Sequence, residues 1–401
     1  MLRRVVSGIG MMLAVALLGG CGSKPIIGVI LPSTGAAVSY GESIESGIRL
    51  ALADARAQRQ IPEGFEVMWG DTGSDAERAV AELEAMVSEH DVKMVIGGAT
   101  SAEAMAMLPV LDKLEIVCLS PSASAPGLAE RSRMFFRIYP SDELEGFTAG
   151  NFLYEKLDKH RVLLFTGDTE YTRGIKPEFL KQYEESLSGT VVDTIALDEG
   201  DWRQRATTVL DRTGVDAVYI IGYAEEILDV VLFLHEREFA GRIVTTAAFY
   251  SGQVIREAGE AAEGILFPLP PFDRTSEKEP VLGFVNRYMD TYDRAPDVFA
   301  AHGYDAMGLC IRIMNVAKRP ETPEILKALS FGVSEYMGVT GPILFDEHGD
   351  VKHYPKMFIV KDGQVLSFQR YLITERKRIL NKVQKLLNLE SSPTPTPTVQ
   401  Q

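Results

Sequence analysis

The chain is short of the residues on which covalent cross-links, metal sites and nucleic-acid surfaces depend. Cysteine occurs 3 times in 401 residues, histidine 6 times and tryptophan twice. Three thiols make no disulfide framework, and no Cys/His spacing matches a zinc site. Positive charge is also scarce, with 41 Lys and Arg against 56 Asp and Glu, a net charge of -15 and a pI near 5.0. That balance argues against a nucleic-acid surface. A glycine-rich phosphate loop, a G-x-S-x-G elbow and a metal motif are all missing, which removes the common enzyme signatures. Apart from the first stretch of the chain, no apolar run approaches the ~20 residues of a membrane-spanning helix.

What remains is ordinary globular usage, 46% hydrophobic and 24% charged, at a length that favours two domains. Cys118, in the apolar segment Glu115–Ser120, and Cys310, in the helical segment Tyr304–Val316, read preferentially as free, buried thiols, with a disulfide between them the open alternative in an oxidising compartment. The beginning of the chain reads as a targeting segment. Arg3 and Arg4 precede an apolar stretch, Val5 to Leu18, too short to span a bilayer comfortably. It closes on Leu18-Gly19-Gly20-Cys21, which resembles the bacterial lipobox. That resemblance implies removal of residues 1–20 and lipidation of Cys21. The mature protein is then expected on a membrane surface, facing the periplasm or the cell exterior.

From Lys24 the chain alternates short β-rich runs with amphipathic helices. Ile26–Leu31, Phe65–Trp69, Val92–Gly97 and Ile116–Leu119 read as strands. The intervening helices include two opened by capping boxes, Ser74 to Glu77 and Thr100 to Glu103. The rhythm repeats after Phe135, with strands at Arg161–Phe165, Thr190–Ala196, Ala217–Ile221 and Ile243–Thr246. Helices are expected at Lys176–Leu187, Trp202–Arg212 and Ile227–Arg237, then at Pro280–Tyr292 and Tyr304–Ala317. A hairpin turns at Asp362-Gly363. Serial βαβ units predict parallel sheets covered by helices on both faces. Residues 373–390 form a basic amphipathic helix, and the Pro/Thr-rich stretch 391–401 is expected to be disordered.

Five blocks, in order, resemble type I periplasmic binding proteins of the leucine/isoleucine/valine-binding branch, which feeds ABC importers. They are PSTGAAVSYGESIESGIRLALADA, VIGGATSAEAMAMLPVLDKLEIVCLSPSASAPGL, FFRIYPSDELEG, AAHGYDAMGL and MGVTGPILFDEHGD. The resemblance covers roughly Ile26 to Phe368 and implies two doubly wound α/β parallel-sheet lobes joined by three crossovers. Lobe one would hold 21–139 and 272–334, and lobe two 140–271 and 335–372. The expected function is capture of a small amino acid-like, carboxylate or amide solute between the lobes, without catalysis and without a cofactor. ABC permease and ATPase subunits are the expected partners.

Ligands of open α/β sheets sit outside the carboxyl ends of the strands. The loop Gly98-Ala99-Thr100-Ser101 joins such a strand end to a helix start, where backbone N–H groups favour an anion. Thr100 is assigned to capping and Ser101 to the ligand. By resemblance, Ser122 and Ser124 hold a ligand α-carboxylate, and Tyr40, Tyr171, Tyr223 and Phe299 line the pocket, with Tyr250 a further candidate. The family's amino-acid binders carry an acidic residue, a partner for the ligand ammonium, in a loop that here reads Thr245-Thr246-Ala247-Ala248-Phe249. An unpaired buried ammonium is costly. Either Glu225 or Glu226 substitutes, or the solute lacks an α-amino group; a solvated helix start is the preferred reading of both. Alternatives to an importer subunit are a ligand sensor and a scaffold for a cell-wall synthase, both favoured mildly by the basic helix. An enzyme using Asp168, Glu170 and Glu225 is the weakest.

Overall fold

β1 (Ile26–Leu31) is buried along nearly its whole length, as an interior strand of a sheet covered on both faces must be. A computed structural model describes residues 24–390 apart from 213, 251, 318–319 and 333–335; Cys21, residues 1–20 and residues 391–401 lie outside the described residues. After β1 come α1 (Val38–Ala57), β2 (Glu66–Asp71), α2 (Ala76–His90), β3 (Met94–Ile96), α3 (Ser101–Leu114), β4 (Val117–Ser120) and β5 (Phe135–Arg137). The five strands pair in parallel in the order β2-β1-β3-β4-β5. Alternation along β1 divides the core: Ile27, Val29 and Leu31 join Ile44, Ile48, Met307 and Cys310, while Ile30 joins Leu83 and Met107 on the other side.

The chain then crosses to a second sheet through α4 (Glu143–Asn151), β6 (Arg161–Thr166), α5 (Glu170–Leu180), β7 (Thr190–Ala196), α6 (Trp202–Arg212) and β8 (Ala217–Ile221). α7 (Ala224–Glu236), β9 (Arg242–Thr245), α8 (Gly252–Ala258) and β10 (Leu266–Leu269) complete this pass. It returns to the first lobe as α9 (Val281–Tyr292), α10 (Val298–Val316) and α11 (Thr322–Lys327). α10 lies so close to α1 that a Cβ on Gly47 would meet the Ala300 carbonyl oxygen at 2.0 Å, and one on Gly303 the Ile44 carbonyl oxygen at 2.3 Å. A short ribbon, β11 (Met337–Gly338) and β12 (Gly341–Pro342), leads back to β13 (Lys356–Lys361), β14 (Gln364–Ser367) and α12 (Phe368–Glu390).

The second sheet runs β14-β13-β10-β9-β8-β6-β7. Its β10, β9, β8, β6 and β7 are parallel, and the expected hairpin adds β13 and β14, with β13 antiparallel to β10 and to β14. Asp362 and Gly363, at φ of 51° and 69°, make the tight turn that puts these last two strands side by side. Several helix starts lie earlier or are capped differently than expected: α7 begins at Ala224 and α10 at Val298, ahead of Ile227 and Tyr304, and two others have a visible cause in their caps. α2 is capped by Asp75, whose carboxylate accepts from the Arg78 N–H at 2.8 Å, because Ser74 is held at φ 63° and its hydroxyl donates to the Thr34 carbonyl. α5 begins at Glu170, ahead of Lys176, because Thr169 accepts from the Thr172 N–H. The Thr100–Glu103 capping box forms as read.

Buried polar anchors hold the crossings. The Arg137 side chain is fully buried, forks onto the Asp350 carboxylate and donates to the Ala125 carbonyl at 2.7 Å, tying the first crossing to the last. The Asp305 carboxylate of α10 accepts from the Val339 and Thr340 N–H groups, each at 2.8 Å, and fixes where the last crossing leaves lobe one. Cys118 and Cys310 are free and buried, and burial pushes both thiols far above their ordinary range. Among the described residues no helix is long and apolar enough to cross a membrane, and no His/Cys/Asp/Glu group is arranged to hold a metal ion.

Candidate functional site

In a 2-1-3-4-5 sheet the strand order reverses between β1 and β3, so the loops leaving the carboxyl ends of β1, β3 and β4 open onto one crevice. Those loops and the helix starts they lead into carry Tyr40, Ser101, Ser122 and Ser124. The three serines hold one another in register. The Ser101 Oγ, at the first residue of α3, accepts from the Ser124 and Ala125 N–H groups at 3.3 and 3.1 Å. Its own proton is left to donate outward. The Ser122 hydroxyl is spent on the Ala99 carbonyl at 2.6 Å, so its side chain offers no free proton. Ser124 donates to the Asp142 carboxylate, while its carbonyl accepts from the Asp142 N–H at 2.9 Å. Beside these, Tyr40 packs edge-on against Phe299 with ring centroids 4.7 Å apart.

Lobe two contributes the other half. Tyr171, at the start of α5, stacks on Tyr223 at 5.3 Å. The Tyr171 hydroxyl donates to the Glu145 carboxylate at 3.1 Å, and the same Oε2 accepts from the Ala247 N–H at 2.9 Å. The crossing residue Tyr139 spans both halves. Its ring stacks on Phe299 at 6.0 Å and leans on His302 at 4.9 Å, and its hydroxyl lies within the fields of Glu145, Asp142 and Tyr40. A continuous path of contacts therefore runs from Ser101 through Ser124, Asp142, Glu145 and Tyr171 to Tyr223, from one lobe to the other.

The electrostatics of this path are unusual for its acids. Burial raises Glu145 to about 8, with the neighbouring Asp142 charge adding to the rise, against the Ala247 and Tyr171 donors. Burial raises Asp142 to about 7, opposed by Ser124 and by the Arg137 guanidinium. Asp142 thus has a cation nearby, whereas Glu145 has neutral donors and another acid; among the described residues it forms no ion pair. The Tyr219 hydroxyl, fully buried and among the described residues without a hydrogen-bond partner, also lies in the Glu145 field.

These positions bring in a carboxylate that the sequence did not point to. The loop after β9 has no carboxylate of its own, but Glu145 reaches its backbone from α4. Neither Glu225 nor Glu226 does so: Glu225 is exposed, and Glu226 accepts from the Tyr223 N–H at 2.8 Å as a helix cap. Tyr250 turns to Phe267 and packs in the lobe-two core. Asp168 is exposed and paired with Arg173, which lowers its pKa. Sequence reasoning missed Tyr139, Asp142 and Glu145; the only local signal was their place in a crossing segment. A depression of about 790 Å³ beside the crossings, lined by Phe136, Leu344 and Phe345, contains none of these residues.

Comparison with known proteins decides the family. Residues 26–364 match the family described as Periplasmic binding protein. The chain belongs to this family. Among its relatives is the leucine-, isoleucine-, valine-, threonine- and alanine-binding protein of Pseudomonas aeruginosa, 24% identical over 80% of this chain and 86% of that protein. Among solved structures, LivJ, the branched-chain amino acid transporter substrate binding protein of Streptococcus pneumoniae, in complex with isoleucine, superposes with a TM-score of 0.69 at 27% identity, covering 85% of this chain and 97% of LivJ. A solute binding protein of an ABC transporter from R. palustris, in complex with benzoate, shares the fold at a TM-score of 0.67 and 19% identity over 86% of this chain and 95% of that one. The chain is thus a periplasmic binding protein of type I fold, one of a family of solute binders and not of enzymes.

Proposed function

We propose that this periplasmic binding protein is the lipid-anchored solute receptor of an ABC importer, and that its solute is a small amino acid with an apolar side chain. One observation carries the reading: the Glu145 carboxylate is buried, oriented by the Ala247 N–H and the Tyr171 hydroxyl, and among the described residues forms no ion pair. A buried carboxylate in that state gains most from an ammonium, which supplies the missing charge and three donors. Opposite it, the Ser101 hydroxyl and the first N–H groups of α3 suit the α-carboxylate. Tyr40, Phe299, Tyr171 and Tyr223 offer aromatic walls for the side chain. Anchoring through Cys21 and delivery to permease and ATPase subunits rest on the lipobox-like segment and on the family.

The second reading, an organic acid or amide, draws support from the raised pKa of Glu145, since a protonated carboxyl can donate to a neutral ligand. Titration calorimetry with leucine and with 4-methylpentanoate, which differs only by the α-amino group, separates the two. The amino acid is expected to bind more tightly. Tighter binding of 4-methylpentanoate overturns the amino-acid reading and leaves the importer reading in place.

A further inference from the structure

α12 lies beyond the family match, which ends at residue 364, and runs from Phe368 to Glu390. Only its first turns are held. Phe368 packs edge-on against Phe152 at 4.8 Å, Ser367 donates to Asp273 at 2.8 Å, and the Arg370 guanidinium donates to the Thr275 carbonyl. Beyond that base an apolar stripe stands in solvent, with Ile379, Leu380 and Leu386 each more than half exposed. Leu372, Ile379 and Leu386 recur every two turns, with Ile373 and Leu380 alongside and Val383 between. The rest of the helix is cationic. Between residues 375 and 389 stand Arg376, Lys377, Arg378, Lys382 and Lys385 against the single acid Glu375, in a chain of net charge -15. Arg378 pairs with Glu375 at 2.9 Å; among the described residues the other four cations form no ion pair.

We infer that α12 is an interfacial helix that lies on an anionic lipid bilayer, with the leucine and isoleucine stripe in the acyl boundary and the lysines among the headgroups. Separation of apolar and cationic faces, at low overall hydrophobicity, is the pattern of helices that lie in the bilayer surface. Charge selects this partner over a second copy of the chain. Pairing α12 with itself brings like charges together, and Arg376 interrupts the row that would have to interdigitate. The stems of Arg376 and Lys377 can run along the stripe while their charges reach the headgroups. The inference is independent of which solute the cleft takes.

The chain from Lys24 onward, which contains both lobes complete, is suited to the test because it lacks Cys21 and the apolar leader. Sedimentation with vesicles of phosphatidylethanolamine and phosphatidylglycerol is expected to carry it down, and vesicles of phosphatidylcholine are not. Lys382→Glu with Lys385→Glu is expected to weaken binding about tenfold or more, and added salt to weaken it in parallel. Ile379→Asp with Leu380→Asp is expected to abolish it. These side chains are exposed, so unfolding temperature and solute affinity should stay at parental values. Absence of binding to the anionic vesicles, or binding that both double variants leave unchanged, overturns the inference. A concentration-dependent dimer in sedimentation velocity, lost in Ile379→Asp with Leu380→Asp, assigns the face to a second copy and overturns it as well.

Discussion

The two halves of the cleft solve opposite electrostatic problems. On lobe one, Ser101, Ser122 and Ser124 are neutral, close to backbone N–H groups, and largely satisfied by one another. On the lobe-two side, Glu145 and Asp142 are buried acids whose pKa values are raised because burial penalises their charge. A surface rich in donors is ready for an anion without rearrangement, whereas a buried carboxyl without a cation favours its protonated form until a cation arrives. On the proposed reading, a zwitterion would find a partner of the right sign on each half.

The comparison can be broken most severely at the link between the halves. Arg137→Ala leaves Asp350 without its buried partner and the Ala125 carbonyl without its donor, and should cost about 3–5 kcal/mol of stability in urea unfolding. A loss below about 1 kcal/mol would mean that the crossings are held by other contacts. Glu145→Gln comes next. It keeps the size of the side chain but removes the charge, and should weaken leucine by about 2–5 kcal/mol while leaving 4-methylpentanoate unchanged or improved. Equal effects on the two ligands would place Glu145 outside the ammonium site.

A gentler probe is pH. Because the Glu145 pKa is raised in the free protein, the carboxyl there is protonated through neutral pH, and binding an ammonium must expel that proton. Leucine affinity should therefore rise with pH, by up to about tenfold per unit, and level off near the raised pKa of about 8. Calorimetry in buffers of different ionisation enthalpy should register proton release below that point. Stability of the free protein should move the other way: the unfolded acid ionises in the ordinary carboxylate range, so raising the pH from there towards about 8 favours unfolding. The smallest effect belongs to lobe one. Ser101→Ala removes one hydroxyl from a site with backbone donors to spare, and should weaken leucine by about 1 kcal/mol. A loss as large as that of Glu145→Gln would erase the contrast between the halves.

Much of this architecture was readable in the linear chain. The run Ile26–Leu31 could only be a buried strand, Thr100 and Glu103 could only cap a helix, and Asp362-Gly363 marked its hairpin, because each is decided by neighbours a few residues away. The candidate residues on lobe one were legible for the same reason, since a serine at a strand end keeps its place whatever the distant chain does. Glu145 was not legible. Its contact with Ala247 joins positions 102 residues apart, brought together by the packing of a crossing helix against the end of β9. In an acidic chain one more glutamate carries no signal of its own. Its burial, its donors and the absence of a neighbouring cation are properties of the folded surroundings, and those depend on where the two lobes and their crossings come to rest.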